Sequence, residues 1–332
     1  MNTQLDFLAV GDIVTDAFIK LQDASVECEV DKDNCKLCMR FGDKIPYDSA
    51  IVIPAVGNSP NASVSAHRLG LNSALMTDLG DDAHGKECID ALVTEGVSTD
   101  FVRAHPGMES NYHYVLRYQA ERTILVKHHE YKYSFPKDLI APKFLYLSSL
   151  AENSLPYHDE IADYLEGHPE TKLAFQPGTF QMKLGSEKLA RLYKLSYLFF
   201  CNKQEAQKIL GSDSADFQEL LKDMHALGPK IVIITDGPDG AYVSDGTSVW
   251  FGPMYPDPAP PVDRTGAGDS FSSTFTCALA LGKTVPEALS WGPINSMNVV
   301  QHIGAQKGLL AMDELEKLLA NAPADYVIKK IA

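Results

Sequence analysis

Asp263-Arg264-Thr265-Gly266-Ala267-Gly268-Asp269-Ser270-Phe271 is the stretch on which the reading of this 332-residue chain turns. Gly266, Ala267 and Gly268 precede a helical pattern whose apolar face is Phe271, Phe275, Ala278 and Leu279. A glycine-rich backbone opening a helix aims free N–H donors and the positive dipole end at one point. Such a point suits a phosphoryl group that gathers negative charge during transfer. Asp269 follows in the first turn, where a carboxylate can take the proton of an attacking hydroxyl. Spacing alone also allows a plainer reading, a turn closed by an N-capping aspartate.

Outward from this stretch, apolar runs alternate with helical patterns. Residues 6–10 read as a buried strand closed by Gly11-Asp12, and 58–69 as a helix with Gly70 at its C′ position. Residues 73–79 read as a strand and 85–95 as a helix stopped by Gly96. Further core strands are expected at 144–147, 173–175, 197–200 and 231–235, a meander at 240–251, and helices at 270–281, 285–298 and 312–319. This is the grammar of an α/β fold with a mostly parallel sheet. Residues 111–127 break it. Tyr112, Tyr114 and Leu116 alternate with His113, Val115 and Arg117, and 119–122 connects them to a second strand-like run, a hairpin expected in a small added sheet. No repeat or linker divides the chain, which reads as one domain over 1–332.

The charge is −15, with 29 Lys plus Arg against 44 Asp plus Glu. That balance argues against nucleic acid or an anionic membrane as partner, since both need clustered positive charge. No apolar stretch of about 18 residues predicts a spanning helix. The opening residues lack a basic region followed by a long apolar run, so no secretory signal is expected. Six cysteines in so long a chain suggest a reducing, cytoplasmic setting.

Two nucleotide motifs fail on inspection. Gly282-Lys283-Thr284 resembles the end of a P-loop, but Cys277 stands where its first glycine belongs, and the tripeptide follows a helix instead of opening one. Gly266-x-Gly268 lacks the third glycine of a dinucleotide fingerprint, because position 271 is Phe.

The stretch 263–271, together with Gly80-Asp-Asp-Ala-His-Gly85 and Glu121-Arg-Thr123, resembles the PfkB-type carbohydrate kinase (ribokinase-like) family. The likeness runs from about residue 6 to about 310, with the motifs in family order. It implies a three-layer α/β/α sandwich with a mostly parallel central sheet and a small β lid, the lid built from about 13–55 and 110–130. It also implies an ATP-dependent small-molecule kinase with Asp269 as general base and Gly266, Ala267 and Gly268 as anion hole. Asn202-Lys-Gln-Glu205 matches an Asn-x-x-Glu motif whose Asn202 and Glu205 would hold Mg²⁺ through its waters. Thr235, Gly237 and Gly240 match a nucleotide-binding turn, and Asn298 lies in the helix before a segment bordering the adenine site. Asp12 and Asp16 match acidic residues that bind acceptor hydroxyls. Gly57, Asn58 and Asn61 match a substrate loop, with a departure at Val56, where a second glycine is usual. Asp263 and Thr265 fall where some members bind a monovalent cation such as K⁺. A homodimer through the lid is implied as well.

Cys28, Cys35 and Cys38 are not part of that pattern. Three readings stand: reduced thiols without a ligand role, a zinc site needing a fourth ligand from Asp31, Asp33, His113 or a partner chain, and a disulfide. Cys88 and Cys277 read as small core residues, and Cys201 ends a strand-like run. For the acceptor, a sugar or sugar phosphate competes with a nucleoside, which a larger aromatic cleft using Tyr112, Tyr114 or Phe41 would favour. A non-catalytic ligand- or metal-responsive regulator is the reading from another class.

Overall fold

Strand β1 (Phe7–Val10) buries all four of its side chains. Phe7 and Ala9 enter one hydrophobic cluster and Leu8 and Val10 another, as period-two alternation requires of a strand covered on both faces. Around β1 the computed structural model describes residues 4–28, 35–119 and 121–332.

The chain leaves β1 through β2 (Val14–Leu21), the pair β3 (Ser25–Cys28) and β4 (Cys35–Cys38), and the long β5 (Tyr47–Val56). It returns by α1 (Asn58–Arg68), β6 (Ser73–Gly80), α2 (Ala83–Thr94) and β7 (Ser98–His105), then departs again in β8 (Tyr112–Tyr118) and β9 (Glu121–Leu125). The alternation resumes with β10 (Phe144–Leu147), α3 (Leu155–Gly167), β11 (Lys172–Phe175), α4 (Thr179–Lys188), α5 (Ala190–Leu195) and β12 (Ser196–Asn202). After α6 (Lys203–Leu210), α7 (Phe217–Ala226) and β13 (Ile231–Thr235) comes the meander of β14 (Ala241–Ser244) and β15 (Val249–Gly252). Helices α8 (Ala267–Ala280), α9 (Val285–Val299) and α10 (Met312–Ala320) precede the short β16 (Lys329–Lys330).

Among the described residues the main sheet runs β16-β15-β14-β13-β12-β11-β10-β1-β6-β7. Its pairings are parallel from β7 to β13 and antiparallel beyond. Apolar residues of α1, α2, α8, α9 and α10 cover one face, and those of α3, α5, α6 and α7 the other. The three-layer expectation is met. Strand order reverses at β1, which lies between β6 and β10, and ligands of open α/β sheets bind beyond the carboxyl ends of strands at such a switch.

The hairpin expected at 111–127 is β8–β9, and it does lie in a separate sheet, of order β5-β2-β8-β9. Periodicity had not singled out β2 or β5, because their exposed halves carry Lys20, Asp48 and Ser49 among the apolar residues. Edge strand β7 was missed for a related reason: no residue of it is fully buried, and it is recruited by pairing with β6. Gln119 of the connecting turn has φ of 56°, while Ala120 lies outside the described residues.

The cysteine reading needs correction. Cys28 and Cys35 face each other across β3 and β4, with Cα atoms 4.0 Å apart, and are joined as a disulfide. Oxidised sulfurs offer no thiolate to zinc. No cluster of three or more potential metal ligands occurs among the described residues. Cys38 is a free, partly buried thiol near the Lys36 carbonyl. Asp31 and Asp33 lie outside the described residues. Cys88, Cys201 and Cys277 are buried thiols, as expected. No helix among the described residues is long and apolar enough to cross a membrane.

Candidate active site

Helix α8 starts at Ala267, three residues earlier than periodicity suggested, because Gly266 takes the N-cap position with φ of 82°. That left-handed backbone disfavours any side chain, and a Cβ there would also run into Ala305. No side chain caps α8; the Ala267 N–H donates to the Arg264 carbonyl at 3.4 Å, which leaves the N–H groups of Gly268 and Asp269 to a ligand. Replacing Gly266 by Ala is expected to destabilise the protein by about 2 kcal/mol or more, from the left-handed penalty plus displacement of Ala305. Thermal denaturation followed by circular dichroism checks this, and an unchanged Tm would mean that the 304–306 loop yields freely.

Asp269, in the first turn of α8, receives three amide donors from separate parts of the chain. Asn58 Nδ2 donates to Oδ1 at 2.7 Å, Asn61 Nδ2 to Oδ2 at 2.8 Å, and Gln176 Nε2 to Oδ1 at 3.1 Å. Asn58 and Asn61 lie three residues apart on α1 and so share one face. Burial pushes the Asp269 carboxyl above the usual carboxylate range, and the three amides pull it part of the way back. The side chain keeps an opening onto a cavity. A raised carboxylate lies nearer the working range of a general base.

Two cavities meet at this helix end. One, of about 270 Å³, is lined by Thr235, Gly237 and Gly240 from the turn after β13 and by Ala267 and Gly268 of α8. The other, of about 170 Å³, is lined by Asp269 together with Asp12, Asp16, Gly57, Asn58 and Asn61. The α8 N-terminus therefore separates the larger cleft from the smaller one.

The larger cleft also takes in Arg264, Phe271, Pro293, Ser296 and Met297, none of which sequence reasoning had nominated. Ser296 and Met297 do lie in the helix that carries Asn298. Asn298 itself does not line the cleft. Its Nδ2 donates to the Gly308 carbonyl at 2.7 Å, so it braces the loop after α9. Asn202 and Glu205 form a reciprocal capping box at the start of α6: Glu205 N–H donates to Asn202 Oδ1 and Asn202 N–H to Glu205 Oε2, both at 2.8 Å. Burial, with the charge of Asp269, raises the Glu205 carboxyl above its ordinary value. Such a carboxylate gains from a nearby cation.

In the smaller cavity, Asp12 is already engaged. Tyr133 Oη donates to its Oδ1 at 2.8 Å, and His128 Nδ1 lies 3.0 Å from its Oδ2. Asn58 and Asn61, expected on the acceptor, each direct one amide N–H at Asp269. Asn61 Oδ1 in turn accepts from Gln306, which does not line the larger cleft but holds Asn61 and the Ala55 carbonyl. Gly57 caps α1 with φ of 126°, and a Cβ there would meet the Asp12 carbonyl at 2.8 Å, so only glycine lets the two loops approach. The departure at Val56 is absorbed by packing: Val56 is buried opposite Val14.

Asp263 does not present a bare cation cage. Its Oδ1 accepts from the N–H and hydroxyl of Thr265, and its Oδ2 from the Gly304 N–H. Both residues thus tie the glycine-rich turn to the 304–306 loop. Gln176 escaped sequence reasoning. Its place immediately after β11, at a strand's carboxyl end, is the signal that could have found it. The Tyr146 hydroxyl donates to its Oε1, with the Ser272 hydroxyl 3.0 Å away, which fixes the amide so that Nε2 faces Asp269.

Residues 22–312 match the family model described as pfkB family carbohydrate kinase. A ribokinase of Bacillus subtilis is 28% identical, over 85% of this chain and 92% of its own length. An ATP-dependent 6-phosphofructokinase of Thermoanaerobacterium thermosaccharolyticum is 25% identical, over 83% of this chain and 86% of its own length. Among solved structures, Arabidopsis thaliana ribokinase complexed with ribose and ATP superimposes with a TM-score of 0.80 at 20% identity, covering 96% of this chain and 99% of that one.

Proposed function

Because the chain belongs to the pfkB family of carbohydrate kinases, and is a phosphotransferase with an alcohol group as acceptor, we propose that it transfers the γ-phosphoryl group of ATP to a sugar hydroxyl held beside Asp269. The observation that carries this reading is the α8 N-terminus lying between the two cavities, with Gly268 on one and Asp269 on the other. Asp269 takes the hydroxyl proton as the oxygen attacks phosphorus. The uncapped N–H groups of Gly268 and Asp269 would stabilise the charge that develops on the transferring group. Thr235, Gly237 and Gly240 supply backbone and hydroxyl contacts for the nucleotide.

Asn202 and Glu205 fit a Mg²⁺ ion held through its waters. Their capping box leaves the other Glu205 oxygen and the Asn202 NH₂ outside its two bonds, and Mg²⁺ is commonly held by one or two carboxylates and phosphates instead of a closed cage. When bound, the ion neutralises phosphate charge. Glu205→Gln keeps a capping acceptor but removes the charge, and the Mg²⁺ concentration for half-maximal activity is expected to rise about tenfold. A Mg²⁺ titration of initial rates checks this, and an unaltered requirement would remove Glu205 from the ion's surroundings.

The segments 13–55 and 110–130 are read as a lid that excludes water from the acceptor. Exposed Tyr47, Val52, Tyr114 and Leu125 on that sheet support pairing of two copies through it. Phosphoryl transfer from ATP, with ADP as the alternative donor, across a panel of sugars and nucleosides tests the whole reading. Absence of transfer to every acceptor would overturn it.

A further inference from the structure

Arg264 lines the larger cleft three residues before the start of α8. In a chain of net charge −15 it is the one basic side chain, against one acidic side chain, Asp257, among the described residues that line this cleft. Its guanidinium makes no hydrogen bond or ion pair with the described residues. Arg68 and Arg103, by contrast, are held by Glu95 and Asp78 at 2.8 and 2.7 Å. Burial lifts the Asp257 carboxyl above its ordinary value, and Arg264 draws it part of the way back. The two groups are thus within electrostatic reach of each other without being joined.

The backbone that bears this side chain is fixed. The Val262 and Asp263 N–H groups both donate to the Val300 carbonyl, at 2.8 and 3.2 Å. Arg117 of β8 donates to the Val262 carbonyl at 3.0 Å. The Asp263 carboxylate accepts from Thr265 and from the Gly304 N–H, and the Arg264 carbonyl accepts from the Ala267 N–H. Consecutive residues of the turn also divide between the cavities, Arg264 lining the larger and Thr265 the smaller. Asp263 and Thr265 are engaged with each other, and Arg264 is left over.

The lining of the cleft says which part of a nucleotide such a cation would meet. Apolar Met254, Pro293 and Met297 suit a base. A phosphate chain instead needs N–H donors and positive charge. Within this lining those come from the start of α8 and from Arg264, which the bond between Ala267 and Arg264 ties together. A guanidinium offers a planar fork of N–H donors that matches phosphate oxygens. The negative charge of the whole chain repels a polyphosphate, and a fixed cation beside the helix start offsets that repulsion locally.

We propose that Arg264 binds the phosphate chain of the nucleotide donor through charge-assisted hydrogen bonds and supplies the fixed positive charge that the α8 backbone lacks. The proposal rests on the reading of the larger cleft as the donor side of a kinase. It adds one side chain to the backbone and Mg²⁺ contacts of that reading.

The test uses the full chain with Mg²⁺ and measures ATP and ADP binding by calorimetry. Adenosine is measured by its displacement of a fluorescent ATP analogue, so that only the donor cleft is read. Arg264→Gln should raise the Kd of ATP and of ADP about tenfold or more, while that of adenosine stays within about twofold. Arg264→Lys keeps the charge but loses the fork, and should fall between the parent and Arg264→Gln. Raising ionic strength should weaken ATP binding by the parent more than by Arg264→Gln. The Tm should not move, because the guanidinium has no protein partner to lose. ATP and adenosine affinities that stay unchanged, or that fall together with Tm, would overturn the role of Arg264 and leave the kinase standing. A parent that binds neither ATP nor ADP would overturn the donor reading and this assignment with it.

Discussion

Replacing Asp269 by Asn lowers kcat by about 10²–10⁴-fold, the usual contribution of a general base, while nucleotide affinity stays near that of the parent. The affinity is retained because the larger cleft is built from the β13 turn, α8 backbone and α9, and does not include the Asp269 side chain. The substitution preserves volume but changes the hydrogen bonding. Oδ1 of the new amide can still accept from Asn58 and Gln176, whereas its NH₂ then faces the NH₂ of Asn61. Removing a desolvated charge offsets part of that conflict, so the folded state is retained. Steady-state rates with a verified sugar, nucleotide titration calorimetry and a thermal melt separate the three effects. Near-parent turnover in a folded variant would remove Asp269 from the role of base.

Gln176→Leu is expected to reduce kcat about 10- to 100-fold and to move the low-pH limb of the activity profile to higher pH. The magnitude follows from losing one hydrogen bond to a charged group, worth about 1.5–3 kcal/mol. The direction follows from what the amide does to the carboxylate. Burial raises Asp269, and the Gln176 donor is one of three groups that lower it. Without that donor the carboxyl holds its proton to higher pH, and the base form that activity needs is reached later. Leucine also takes Oε1 from the Tyr146 hydroxyl, which can then donate to Ser272 Oγ 2.6 Å away while Ser272 donates to the Gly268 carbonyl. A fall in kcat with an unmoved limb would mean that Gln176 orders the site without acting on the charge of Asp269.

The strands of the main sheet from β1 to β13 were legible because each is buried on both faces, which leaves continuous apolar runs in sequence. The second sheet was legible only in its β8–β9 hairpin. Its other strands are half exposed, and their pairing is fixed by partners distant in the chain. The orientation of Asn298 was not legible for a similar reason. Its motif lies beside the larger cleft, but the direction of its amide depends on where the 304–308 loop folds back. The −15 charge is compatible with phosphate chemistry, since the proposed anion contacts are backbone N–H groups and a water-held Mg²⁺ and need few basic side chains.

By itself the stretch 263–271 determined a glycine turn opening a helix, with Asp269 in its first turn, because glycine conformation and helix initiation are local. Only the tertiary structure decided what surrounds that carboxylate. Asn58, Asn61 and Gln176 reach it from α1 and from the end of β11, across sequence separations of 211, 208 and 93 residues. It also decided that Cys28 pairs with Cys35 and that Asp12 is spent on His128 and Tyr133. Those contacts depend on how strands stack and loops return, which spacing along one chain does not encode.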